Sequence, residues 1–448
     1  MATLTTLTRT LGFRDLTFLI VGSVIGSGIF ILPGAVLRNV DSYVGLALAV
    51  WFVGGILSLL GALTYGELSA MNPSAGGIYV YIRDCFGRFP AFLFGWTLFF
   101  VISSGTVATL AVAFSAYLGQ VVPVTGFEAK LVAIAMIVVV TAVNVWGTRK
   151  SSDLTNVATG IKVGAILLMA VVLFSLGRGF AGPSTPLWPP QLTGHLGSGF
   201  GVAMIGVLWA YEGWQYCTFT AGETVNPQRN FPRAFLIGSV ALIAIYMIAN
   251  LAYLAALGAP AASQTDSIAA TAVGAIVGPT AAKVIALVIL VSIFSATNTN
   301  VLTAPRVYYS MASDGLFFKK LAEVHPRFGT PAIAIVVSSA WAAVMAASNS
   351  FEQLYTYVIF IGWIFYALGA ASIFVYRKRN PEIARHYKVP GYPWTPAVFI
   401  LAAGGLVLNT IVAQPRNALY GLAIAAVGAP VYPVWQWLAN RKAAAVKA

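Results

Sequence analysis

Apolar residues run along this chain in long blocks, with polar residues gathered between the blocks rather than alternating inside them. Blocks of about 20 residues match the helical length that spans a bilayer's hydrocarbon. Twelve such spans are predicted: Leu16–Arg38, Val44–Met71, Pro90–Leu118, Leu131–Trp146, Leu154–Leu176, Leu196–Thr220, Ala234–Leu257, Thr280–Tyr309, Ile333–Ser348, Leu354–Tyr376, Thr395–Val412 and Ala418–Leu438. A barrel strand would alternate over about ten residues. These runs are continuous, so the predicted class is an all-α polytopic membrane protein.

Composition agrees and removes the soluble alternative. Of the 448 residues 59% are hydrophobic and 9% charged, against about 25% charged in an ordinary soluble domain. The net charge of +13 suggests nucleic acid until its distribution is read. With the N-terminus inside, 20 basic residues fall in segments on one side of the spans. Only three, Arg38, Arg178 and Arg416, fall on the other, and Lys130, Lys162 and Lys283 lie within spans. The positive-inside rule then places both termini in the cytoplasm of a plasma (inner) membrane. No small-residue cleavage site follows the first apolar run, so no removable signal peptide is expected. Cys85 and Cys217 suit no disulfide, no metal-ligand spacing occurs, and no P-loop or cofactor motif is present.

Two spans are interrupted. Residues 22 to 30 read GSVIGSGIF, and each glycine costs a helix roughly 1 kcal/mol relative to alanine. Gly22 and Gly26 have the spacing that lets two helices approach closely. Alternatively Gly26, Ser27 and Gly28 mark an unwound segment, which a membrane tolerates only where it lines a cavity. Residues 209 to 215 read WAYEGWQ, with Glu212 and Gly213 at mid-span, where a charge costs about 2.5–3.5 kcal/mol. Paired interruptions at corresponding places in two halves point to a transporter's binding site. The first and sixth spans correspond if spans 1–5 and 6–10 are inverted repeats. A break at 26–28 would present helix N-terminal amides to a carboxylate. A break at 211–213 would free carbonyls for an ammonium. Together they describe an α-amino acid zwitterion.

At these residues a family resemblance appears. IGSGIF (25–30), YGELSAMNPSAGGIYVYI (65–82), WAYEGWQ (209–215) with GETVNPQRNFPRA (222–234), RVYYSMASDGLFFKKLAEVHPRFGTPA (306–332) and YKVPGYPWTP (387–396) follow one another along the chain. The series resembles the amino acid–polyamine–organocation (APC) superfamily, most closely its L-type amino acid transporter branch and related bacterial permeases. The resemblance implies a LeuT-type fold of five plus five inverted helices in one transmembrane domain. Residues 16–177 would form the first repeat and 195–377 the second, with two further helices over 394–438. It implies sodium-independent exchange of amino acids by alternating access, neutral ones favoured. A cationic amino acid or polyamine antiporter, or a proton-coupled symporter, is the alternative, and a transporter-like nutrient sensor a weaker one.

Carried over residue by residue, the substrate carboxylate would lie on Gly26, Ser27 and Gly28 with Val24 nearby. The amino group would meet carbonyls of Val24, Trp209 and Glu212 beside Gly213, and the Trp209 ring would close over it. L-type members that prefer large neutral substrates commonly have a second glycine where this chain has Glu212. Ionised, Glu212 would favour cationic cargo; protonated, the form expected in the empty site, it would leave neutral cargo preferred. Lys162 is about eight residues from its span's end, roughly 12 Å along the helix, which is far for a snorkelling ammonium. In the family a lysine here takes the place of a bound cation, reaching carbonyls near Gly22 and Ser23. The eukaryotic L-type branch joins a glycoprotein heavy chain through a cysteine between spans 3 and 4. Residues 119–130 hold none, so no disulfide-linked partner is expected.

The remaining polar residues have plainer readings beside functional ones. Ser295, Thr297, Asn298 and Asn300 either line the pocket, Ser295 and Asn298 foremost, or bond neighbouring helices. Glu67 is a helix-end hydrogen-bond partner or a gate residue. Arg233 belongs to a capping turn with Asn226, Pro227, Asn230 and Pro232, or joins an inner gate, and Lys283 snorkels. An enzyme would need a nucleophile–base or metal constellation. His195, His325 and His386 all fall in or beside loops, so the chain is read as no enzyme. A channel filter would need repeated rings of carbonyls or charges, and nothing repeats that way.

Overall fold

A computed structural model describes residues 9–181 and 187–447. Residues 1–8, part of the N-terminal segment expected on the cytoplasmic side, lie outside the described residues, as do the side chains of the basic residues Arg441, Lys442 and Lys447. The described chain is helical, and its one isolated β-bridge pairs Leu11 with Thr224. In order the helices are α1 (Phe13–Val24), α2 (Gly28–Asn39), α3 (Val44–Met71), α4 (Ile78–Phe86), α5 (Arg88–Leu118), α6 (Phe127–Val145), α7 (Thr148–Leu176), α8 (Gly194–Ala210), α9 (Pro227–Ser263), α10 (Ile268–Val277), α11 (Pro279–Ser313), α12 (Ala332–Ser348), α13 (Phe351–Arg379), α14 (Trp394–Ala413) and α15 (Pro415–Lys447).

Nine described helices are long and apolar enough to cross a membrane, ten when α1 and α2 are taken as one span bent by 44°. The twelve expected spans differ from that count at two places for physical reasons. The stretch expected over 196–220 stops being α-helical after Ala210 and continues beyond a turn as a 3₁₀ segment, Trp214–Glu223. The stretch expected over 333–348 forms a helix of 17 residues.

Helices in lipid need no polar face, so what distinguishes their inner sides is size. On α3 the buried positions include Gly54, Gly55, Ser58, Gly61 and Ala62, whereas Phe52 and Val53 are exposed. Small inward residues let backbones approach, which is the main driving force where no hydrophobic gain separates helix from lipid. α3 packs along α9, α9 also meets α1, and α11 packs against α5 and α7. Gly22 belongs to this class: a Cβ there would collide with the Thr159 hydroxyl of α7. Within GSVIGSGIF only residues 25–27 are unwound.

The end of the bundle carrying Arg306 and Arg377 is tied by ion pairs. Arg306 and Glu223 are both buried and meet at 3.0 Å, with Arg306 also on Thr148 and the Leu302 carbonyl. Glu67 takes Arg377 at 2.6 Å and the Val389 N–H at 2.6 Å. Asp15 accepts from Asn156 at 2.7 Å and from Arg149 at 3.3 Å. Thr10 and Leu11 donate their N–H groups to the Glu223 carbonyl. Arg233 is exposed and stands in none of the described ion pairs, and Lys283 is exposed. Cys85 and Cys217 are buried thiols.

Candidate functional site

The two breaks face each other. α1 ends at Val24, residues 25–27 are unwound, and α2 restarts at Gly28. Opposite, α8 ends at Ala210, residues 211–213 turn, and the 3₁₀ segment follows. Two glycines make this meeting possible. A Cβ on Gly28 would stand 2.6 Å from the Ala210 Cα and 2.7 Å from its Cβ, so only hydrogen fits there. Gly213 has φ +123°, a conformation that side-chain-bearing residues rarely adopt. Its carbonyl accepts from the Ser23 hydroxyl at 3.0 Å, which fastens the second break to the first.

Between the breaks lies a small cavity. Its wall brings together Val24, Gly26, Ser27, Gly28, Trp209 and Glu212, six residues singled out in the sequence. Gly213 stands behind the wall against Ser23. Ser295 and Asn298 do not line it: Asn298 spends its amide on Asn144, Ser151 and Thr155, bonding α11 to α6 and α7. Asn300 and Ala296 face the cavity instead. Ser23, Thr106, Leu110 and Tyr216 complete the lining and were not anticipated. A π-turn over Leu98–Ile102 precedes Thr106 in α5, and such turns are frequent at functional sites.

Hydrogen bonding divides the wall into spent and free groups. The Ser27 hydroxyl and the Asn300 Nδ2 are buried without a partner. At the start of α2 the Phe30 N–H donates to Ser27 O at 3.1 Å, whereas none of the described hydrogen bonds starts at the Gly28 or Ile29 N–H, as is usual at a helix start. Glu212 Oε1 accepts from Gln215 at 2.5 Å, Tyr366 at 2.7 Å and Tyr216 at 3.2 Å. None of the described hydrogen bonds ends on Oε2. The carbonyls expected to hold an ammonium are less available. Val24 O accepts from Gly26 N–H at 2.8 Å and from the Tyr246 hydroxyl at 3.0 Å, and Trp209 O accepts from Glu212 N–H at 3.0 Å. Tyr246 also reaches Ala210 O at 2.8 Å, bridging both breaks.

Lys162 lies behind the first break, fully buried. Its ammonium donates to Gly22 O and Ile25 O, each at 2.7 Å, and reaches Ser292 O at 3.4 Å. The partners are therefore Gly22 and Ile25, with Ser292 of α11 in place of Ser23. Trp209 lines the cavity, its ring packed on Phe351 and Tyr355 of α13 with centroids 6.4 and 6.1 Å away.

Residues 11–433 match the family model for amino acid permeases. The chain belongs to that family. The permease is 31% identical over 431 residues to the serine/threonine exchanger SteT of Bacillus subtilis (strain 168), covering 95% of this chain and 96% of the relative. It is 31% identical over 424 residues to the b(0,+)-type amino acid transporter 1 of Homo sapiens, covering 92% and 84%. Against the large neutral amino acids transporter small subunit 2 of Mus musculus the identity is 30% over 433 residues, covering 95% and 81%. The APC and L-type resemblance thus holds. This permease is an integral membrane protein that transports amino acids, and neither its family nor its relatives are enzymes.

Proposed function

We propose that this permease is a sodium-independent exchanger of neutral L-amino acids working by alternating access. The observation that carries the reading is the single cavity joining both breaks, with unpartnered donors on one side and a free carboxyl oxygen on the other. The substrate carboxylate would sit on the N-terminal amides of α2 and the Ser27 hydroxyl, where the helix dipole favours an anion. Because Val24 O and Trp209 O are engaged, the ammonium would turn to Glu212 Oε2. Trp209 would close over the bound molecule, and the Lys162 ammonium would take the place of a coupling cation. This reading includes twelve crossings arranged as repeats over 16–177 and 195–377 plus a pair over 394–438. It places both termini on the cytoplasmic side of the plasma membrane.

Counterflow of radiolabelled amino acids in proteoliposomes, with and without sodium and a pH gradient, tests the proposal. Exchange of neutral amino acids that ignores both gradients is expected. Strict dependence on either gradient would overturn it, and the absence of stoichiometric uptake would indicate a sensor.

The free oxygen of Glu212 also supports a second reading, a cationic cargo. We expect arginine and lysine to compete less well than alanine or leucine for a neutral tracer. Glu212→Gln keeps an oxygen for Gln215, Tyr216 and Tyr366 but removes the charge. It also puts an NH2 group where Oε2 would receive the α-ammonium, so exchange of neutral amino acids is expected to weaken along with residual competition by arginine. Stronger competition by arginine than by alanine in the native protein would favour the cationic reading instead.

One relative is named a small subunit, which raises the question of a partner. With no cysteine in residues 119–130 and both cysteines buried, we propose that the chain transports without a disulfide-linked heavy chain. Purified from its native membrane, it is expected to migrate identically with and without reductant. A reduction-sensitive larger band would refute this.

A further inference from the structure

The proposed poses of carboxylate and ammonium leave one direction for the rest of the molecule. Both charged groups lie on the broken helices, so the side chain leaving Cα must face the remaining wall. That wall comes from α5 and α11 and consists of Thr106, Leu110, Ala296 and Asn300. Leu110 and Ala296 offer only carbon. The Thr106 hydroxyl donates to Ile102 O at 2.7 Å, within its own helix. Asn300 is different: its residue is 1% exposed, and the Ser103 hydroxyl donates to its Oδ1 at 2.8 Å. With Oδ1 held in that bond, Nδ2 is a buried donor without a partner on a residue that lines the cavity.

We propose that Asn300 is a specificity-determining residue, its unpaired amide selecting amino acids whose short side chain carries a neutral hydrogen-bond acceptor. The proposal rests on reading the cavity as the amino acid site. A hydroxyl or a side-chain amide one or two carbons from Cα would satisfy Nδ2 while its carbons meet Leu110 and Ala296. An aliphatic side chain of equal volume fills the same space and leaves a buried donor unmade, which is costly in a site closed to water. A side-chain carboxylate could also accept, but it would share the cavity with Glu212.

Threonine and valine separate hydrogen bonding from shape, since they differ by a hydroxyl in place of a methyl. The experiment is counterflow of radiolabelled alanine in proteoliposomes, competed by L-threonine and by L-valine. In the native protein threonine should compete about tenfold or more better than valine, the scale of one unmade hydrogen bond to a buried donor. In Asn300→Leu the two should compete within about twofold of each other, because the wall no longer tells them apart. Asn300→Ala removes the same donor without adding bulk and is read in the same way if the leucine variant does not fold. Equal competition in the native protein overturns the proposal, as does a preference that survives in either variant. If native protein exchanges none of the three amino acids, the reading of the cavity falls, and this inference with it. Exchange without discrimination sinks the inference alone.

Discussion

Lys162→Met is expected to abolish exchange, lowering uptake by about a hundredfold or more, while the native protein works equally well without sodium. The reason lies in the carbonyls that the first break orphans. In a continuous helix Gly22 O would accept from the Gly26 N–H, but that N–H turns to Val24 O instead. Ile25 O, just past the last residue of α1, loses its helical partner too. The Lys162 ammonium supplies donors to both, 2.7 Å from each. Ser292 assists, its hydroxyl 3.0 Å from Ile25 O. Positive charge at a helix C-terminus is also favoured by the dipole. Removing the ammonium leaves Gly22 O without that donor and Ile25 O with the Ser292 hydroxyl alone, at about 1–3 kcal/mol for the buried acceptor left unmade. That is enough to redistribute the unwound segment whose geometry presents Ser27 and Gly28. Methionine keeps the length and apolar stem, so loss of packing is not the variable. Monodisperse Lys162→Met protein exchanging at more than about a tenth of the native rate would refute the role, a tenfold change being only 1.4 kcal/mol. So would native uptake that requires sodium.

The same residue shows what a sequence discloses in a membrane protein. A lysine, a glutamate or a run of glycines inside an apolar block is conspicuous because each is expensive there. That is why Lys162, Glu212 and both breaks were legible. Residues that are cheap in a membrane helix stay hidden. Thr106, Tyr216 and Tyr366 look like ordinary span residues until tertiary packing brings two of their hydroxyls onto one oxygen of Glu212. Asn298 and Asn300 were visible as polar, but their faces were not. Two residues apart on a helix, they point about 200° away from each other. One therefore bonds α6 and α7 while the other meets the cavity, and only the register of α11 decides which. The engagement of Val24 O by Tyr246 spans 222 positions, beyond any local pattern.

Gly28→Ala should be nearly as damaging as Gly28→Val, with exchange reduced by about a hundredfold or more in each, the usual scale for a site displaced by about 1 Å. If Gly28 were needed only to let the chain unwind, alanine would be a mild change. The geometry argues for a harsher outcome, because the obstacle is met by the first carbon added. A Cβ at position 28 would stand 2.6 Å from the Ala210 Cα and 3.3 Å from the Ala210 N. Backbone atoms cannot rotate away as a side chain can, so the two breaks must separate. Separation moves the α2 amides and the Ser27 hydroxyl away from Trp209 and Glu212, which hold the other end of the proposed substrate. Gly26→Ala is the contrast. There the added methyl meets the Leu110 Cδ2 at 3.1 Å and the Ala296 Cβ at 3.5 Å. The leucine tip can give way by a few tenths of an ångström, so the cavity shrinks without losing its frame. Exchange of small amino acids by Gly26→Ala is expected to fall by less than about tenfold, with larger cargo affected more. The measurement is alanine counterflow by protein shown to be monodisperse after purification, with substrate protection against thermal unfolding as a second readout. A Gly28→Ala permease that binds and exchanges alanine at near-native rates would show that the two breaks do not depend on their contact at Ala210.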